Sequence, residues 1–251
     1  MPLLTQNSEL RPHLIWNWSI PALTAKLADG RRISTCPSAG ICARYCYARN
    51  GSYLFPATIA AHTRNLQLVL DNTEAWRVAM TVEVNGARFT KSRPPRTVPI
   101  PETRIADEWL LRWIRSGKPA VRIHDSGDFF ADWYLREWLT IAETAPGILF
   151  YAYTKEIEML RATDTPENFR WLASTGGTQD HLIGDDLRHA DVFPSEDALA
   201  AAGYESQDAN DLLAVLLPTN RVGITANNIR AYNKKIAGRT FSELQRSLRR
   251  D

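Results

Sequence analysis

The chain has 251 residues, 44% of them hydrophobic, with 30 basic and 28 acidic side chains. That supplies a continuous core for one large α/β domain or two small ones and excludes general disorder. The net charge of +2 makes no overall case for nucleic-acid or membrane binding. No apolar run approaches the ~20 residues of a membrane span, and Met1–Gln6 lacks the regions of a signal peptide, so a cytosolic protein with reduced thiols is expected.

Residues 1–12 read as a polar lead-in. Leu14–Pro21 alternates large apolar with small polar residues, the pattern of a strand closed by proline. A three-cysteine loop follows at 35–48. From Pro56 to Val84, Ile59, Leu66, Val69, Leu70, Trp76 and Met80 recur at helical spacing, with Asp71-Asn72-Thr73 as a break and new N-cap. Arg88–Pro101 holds Arg88, Lys91, Arg93 and Arg96 among prolines, an extended basic connector or a phosphate-binding arm. Thr103–Ser116 is an amphipathic helix closed by Gly117.

Next comes a β/α rhythm. Strands are expected at 120–124, 148–153, 169–173, 190–193 and 221–224, and helices at 132–144, 156–162, 196–202 and 241–250. Strands separated by helices pair in parallel through right-handed crossovers, which predicts one domain over 1–251 built as a partial (β/α) barrel. Ligands of such folds gather at the carboxyl ends of the strands.

The cysteines Cys36, Cys42 and Cys46 are the only three in the chain and lie within eleven residues. Pro37 and Gly40 keep the segment from being a regular helix, so the thiols can converge. Soft thiolates select zinc, copper(I) or an iron–sulfur cluster. Zinc would want a fourth ligand from far away, whereas a 4Fe-4S or 3Fe-4S cluster accepts three thiolates, the cubane leaving one iron open. A disulfide with one free thiol, or three merely buried cysteines, are the plain alternatives.

The strand at 120–124 ends in His124-Asp125-Ser126-Gly127-Asp128, where an imidazole, a hydroxyl and two carboxylates crowd a glycine turn. Such a group either caps the next helix or forms a site, with His124 or Asp128 in it. Lys155, after the next strand, can neutralise a cluster, a carboxylate or a phosphate. His181 and His189 are read as surface residues, Asn220, Asn227 and Asn228 as turn residues able to touch a ligand, and Tyr45 and Tyr47 as shielding the metal.

The run Cys36-x5-Cys42-x3-Cys46-Tyr47-Ala48, with Arg122–Phe129 and Phe150–Lys155, resembles the gene product 88 family of actinobacterial phages. The resemblance covers roughly 16–224 and implies a phage-encoded protein in the host cytoplasm, with no activity to transfer. More distantly, the chain is similar to the radical S-adenosylmethionine superfamily, whose partial barrel places a three-cysteine loop after its first strand. That likeness implies that the open iron binds S-adenosylmethionine and that Ser126-Gly127-Asp128 holds the cofactor's amino group. The cysteine spacing here, five and three residues, is wider than is usual there. The expected protein is therefore an iron–sulfur protein acting on an unknown small molecule. Its rival is a non-catalytic phage factor with a structural metal, binding host protein or nucleic acid through Arg88–Arg96 and the tail Arg246, Arg249 and Arg250.

Overall fold

The computed structural model describes residues 2–226 and 234–248. Seven strands form one sheet, every pair parallel: β1 (Ile15–Trp18), β4 (Ala120–Ile123), β5 (Leu149–Thr154), β6 (Phe169–Ser174), β7 (His189–Phe193), β9 (Arg221–Thr225) and, at the far edge, β8 (Glu205–Ser206). A separate antiparallel hairpin, β2 (Thr24–Lys26) with β3 (Arg32–Ser34), stands between β1 and the cysteine loop. Its turn carries Asp29-Gly30, with Gly30 at φ 89°, a hairpin signal that the sequence reading passed over.

The first five strands lie side by side in chain order, so the sheet winds in one direction, as expected for parallel crossovers. It does not close into a barrel. β1 and β8 are its edges, β1 is bridged on its outer side by Thr5, and the short helix α9 (Leu213–Leu216), which follows β8 in the chain, packs on the sheet against β6. β8 and α9 were not anticipated, since two and four residues are too short for periodicity to show.

One face of the sheet, through Trp18, Val121, Ile123, Phe150 and Ala152, packs on α2 (Pro56–Asp71), α3 (Thr73–Val84) and α6 (Asp132–Thr144). The opposite face, through Ile15, Ala120, Leu149 and Tyr151, packs on α5 (Glu108–Ser116) and α9. Burial from both sides explains why the strands read as apolar runs rather than alternating ones. Asn72 caps α3 by accepting from the Ala75 N–H, and Gly117 closes α5 at φ 65°, both as the sequence indicates.

The lead-in is tied down. Glu83 accepts from the Leu3 and Leu4 N–H groups, and Leu4 and Leu10 are buried. The basic connector is also committed internally. Arg88 pairs with Glu83 and lies over Trp16, Arg93 donates to the Arg88 carbonyl, and Arg96 donates to the His13, Leu14 and Lys118 carbonyls beneath Trp113. Three of the four cations proposed for an anion-binding arm thus hold the chain together.

Candidate functional site

The three thiols are free, with no disulfide among them. Pro37 and Gly40 precede, rather than prevent, one helical turn, α1 (Cys42–Tyr45). The loop is pinned from the ends of β5, β6 and the C-terminal helix α10 (Phe241–Leu248). Glu156 accepts from the Ser38 N–H and hydroxyl, each at 2.9 Å, Gln245 accepts from the Ile41 N–H, and the Gly176 carbonyl accepts from the Cys42 N–H. Gly40 sits at φ 47°, and a Cβ there would stand 2.6 Å from the Gly176 carbonyl oxygen, so only glycine lets the backbones approach so closely.

Burial is the first cause of a large rise in the Cys36 pKa and of the rise of Cys46 to about 11. Asp128 and the other two thiols add to the rise at Cys36, and Cys42 adds to that at Cys46, while Lys155 pulls Cys46 down. The three sulfurs therefore share one electrostatic neighbourhood, with a cation beside it. Lys155 Nζ donates to the Ser174 hydroxyl at 2.7 Å and the Ser174 and Thr175 carbonyls, and forms no ion pair among the described residues. Its hydrogen-bond partners are neutral, and its charge is felt by the Asp128, Glu156 and Asp180 carboxyls as well as by Cys46. Among the described residues no group of three or more His, Cys, Asp or Glu side chains is arranged to hold a metal ion.

The 124–128 turn behaves differently. Asp128 accepts from the Phe129 N–H (2.8 Å), the Thr154 hydroxyl (2.6 Å) and the Lys155 N–H (2.9 Å), so its carboxylate is occupied by the fold. Burial outweighs those bonds and raises its pKa. Gly127, at φ 90°, packs against Ile20, where a Cβ would come within 2.3 Å of a side-chain carbon. His124 is held at φ 65° and turns its ring towards α6, where Nε2 lies 2.9 Å from the Tyr134 hydroxyl and the ring abuts Phe129. Trp18 Nε1 donates to the same hydroxyl, so Tyr134 joins the histidine to β1. Burial lowers the His124 pKa to about 3, and its Nδ1, like Ser126 Oγ and Ser19 Oγ, is buried without a partner among the described residues.

Sequence reasoning missed a polar group on the α5/α9 face of the sheet. Arg122 Nη1 lies 3.4 Å from Asp125 and 3.3 Å from Asp211, Tyr53 donates to Asp125 at 2.8 Å, Tyr151 donates to Asp211, and Tyr153 to Gln207. Tyr47 donates to the Asp125 carbonyl, which joins this group to the cysteine loop. The signal was present: Arg122 interrupts an apolar strand, and Tyr151 and Tyr153 recur at period two.

The remaining candidates separate. His189 is buried, with ring nitrogens 2.9 Å from the Leu187 carbonyl and 2.8 Å from the Tyr204 hydroxyl, because its strand is covered on both sides; the surface reading is corrected. His181 lines a cavity of about 570 Å3 with Asp180, Tyr204, Arg221 and Arg246. Asn220 donates to the Asp185 and Asp186 carbonyls as a turn residue, and Tyr45 packs on Phe241. Asn227, Asn228, Arg249 and Arg250 lie outside the described residues.

Fold and site together define an open parallel α/β protein with a three-thiol loop pinned over the carboxyl edge of its sheet. The chain belongs to the gene product 88 family, whose profile matches residues 2–247. No curated protein and no solved structure matches it. No helix among the described residues is long and apolar enough to cross a membrane.

Proposed function

We propose that this chain is a phage-encoded iron–sulfur protein of the host cytoplasm in which Cys36, Cys42 and Cys46 hold a 4Fe-4S or 3Fe-4S cluster. The observation that carries the reading is three free thiols in one electrostatic neighbourhood, on a loop braced from three elements, with the unpaired Lys155 ammonium beside them. Zinc asks for donors crowded about one ion at roughly 2.3 Å, whereas a cluster places each thiolate on a different iron and tolerates a wider triangle. Cys42 disfavours ionisation of both Cys36 and Cys46, a conflict that iron would remove and that Lys155 eases at Cys46.

A bound cluster with one open iron supplies one-electron chemistry. The protein's part is to hold the loop in place and to balance charge through Lys155. We extend the reading to S-adenosylmethionine as the ligand of that iron. Chain-order winding of the sheet and the position of Ser126-Gly127-Asp128 after its second strand support it. Asp128 is occupied by the fold, so in this turn the Ser126 hydroxyl, which has no partner among the described residues, is the group left to meet a ligand.

Anaerobic purification, iron and sulfide counting and electron paramagnetic resonance test both levels. Stoichiometric iron with labile sulfide is expected, with a spectrum perturbed by S-adenosylmethionine. An unperturbed spectrum removes the cofactor and leaves the cluster. Zinc without sulfide removes the cluster and leaves the non-catalytic factor with a structural metal.

A further inference from the structure

The charge of this chain is unevenly placed. Residues 30–70 contain five arginines and no acidic residue, so the remainder is net acidic although the whole is +2. Arg31 pairs with Asp29 and Asp71. Arg44 on α1, Arg49 in the single 3-10 turn Tyr47–Arg49, and Arg64 on α2 are exposed and pair with no carboxylate among the described residues.

The same stretch holds four of the seven large apolar side chains exposed among the described residues. Leu54 is 57% exposed, Phe55 61%, Ile59 49% and Tyr47 45%. Ile59 lies one and two turns before His62 and Leu66, on the face by which α2 packs on the core, and the helix outruns the core at its first turn. Tyr47 is anchored by its hydroxyl on the Asp125 carbonyl while much of its ring stays open, and its ring meets Tyr53 at 5.6 Å, which in turn meets His62 at 6.2 Å. Along the chain, Tyr47, Tyr53 and Phe55 stand between Arg44 and Arg64, with Arg49 among them and Tyr47 within the cysteine loop.

We propose that this surface binds single-stranded nucleic acid, with bases stacked on Phe55 and Tyr47 and phosphates met by Arg44, Arg49 and Arg64. Free guanidinium groups interleaved with open aromatic faces are what an unpaired strand recognises, since every base has a π-face and every linkage a charge. A duplex hides its bases and offers only its phosphates. The surface is distinct from Arg88–Arg96, whose arginines are engaged inside the fold.

The test is fluorescence anisotropy with a fluorescein-labelled twenty-nucleotide single strand, as DNA and as RNA, the matching duplex, and polyglutamate of similar length, across a potassium chloride series. The single strand is expected to bind more tightly than the duplex, with a log–log salt slope of about −2 for three phosphate contacts. Arg49→Gln and Arg64→Gln should each make the slope shallower by about 0.7. Phe55→Ala should weaken single-strand binding about tenfold and leave the slope unchanged. Lys91→Gln is the control expected to change nothing. No binding at low salt, or binding indifferent to Phe55→Ala and Arg64→Gln, overturns the proposal. Polyglutamate binding as tightly as the strand overturns it in favour of an acidic protein partner. Phe55 and Arg64 lie outside the cysteine loop, so this result stands or falls apart from the cluster.

Discussion

The cysteine loop and the 124–128 turn meet at the same edge of the sheet, and both look reactive in sequence, yet they dispose of their polar groups in opposite ways. The turn commits its groups to the fold. Asp128 satisfies two backbone N–H groups and a hydroxyl, Asp125 joins Arg122 and Tyr53, and His124 turns its ring to Tyr134. The loop is held by residues other than its thiols, through Ser38, Ile41 and Cys42 backbone contacts, which among the described residues leaves the sulfurs only the Leu23 N–H on Cys36, at 3.3 Å, and the Ala48 N–H on Cys46. A crowd of ionisable residues at a strand end is thus a weaker sign of chemistry than a set of donors whose scaffold is supplied by someone else.

The largest effect that separates the two regions is expected from Cys46→Ala. It should abolish bound iron and sulfide while leaving the far-ultraviolet circular dichroism unchanged, because the loop's anchors are not its sulfurs. A protein that keeps its iron, or that unfolds, breaks the contrast from the loop side. Asp128→Ala attacks it from the other side. Leaving three buried donors unpaired should cost about 2–4 kcal/mol in urea denaturation, with Asp128→Asn losing less. A loss below about 1 kcal/mol would mean that the carboxylate is available for a ligand after all.

Glu156 and His124 sharpen the comparison through pH. Burial raises the Glu156 pKa to about 7 from 4.5, so its contribution to stability is complete below pH 4.5 and is lost as pH rises through 7. His124 works with the opposite sign. Its pKa falls to about 3 from 6.5, so its contribution is present above pH 6.5 and is lost as pH falls towards 3. Between pH 4.5 and 6.5 the two oppose each other. Glu156→Gln should therefore unmask a steady fall in melting temperature on acidification below pH 6.5, where the parent protein changes less. An identical profile in both proteins would remove Glu156 as the titrating latch of the loop. The smallest effect is expected from Lys155→Met, which should make the cluster modestly harder to reduce in a redox titration by removing a nearby positive charge.

Much of the fold was legible because its signals are local. Alternation marked β1, short apolar runs marked β4, β5, β6, β7 and β9, helical spacing marked α2, α3, α5 and α6, and Asn72 and Gly117 marked two helix ends. The misses have local causes as well. The Asp29-Gly30 hairpin was masked by the charged residues around it, and β8 and α9 are too short to repeat. Arg88, Arg93 and Arg96 read as a solvent-facing charge run because their carbonyl and ring partners come from residues 13–16, 88, 113 and 118, mostly remote in sequence. His189 read as exposed because a strand covered on both faces can hold an imidazole whose two nitrogens are satisfied.

By itself the sequence determined that this is a parallel α/β chain with three thiols gathered in one short loop, because strand type, helix period and cysteine spacing are properties of near neighbours. Only the tertiary structure decided which charged groups remain available. It buried Arg96 and Asp128 in internal bonds, left Lys155 without an ion-pair partner among the described residues, and pushed Phe55, Ile59 and Arg64 into the open. A side chain's freedom depends on partners tens of residues away, and no local pattern records them.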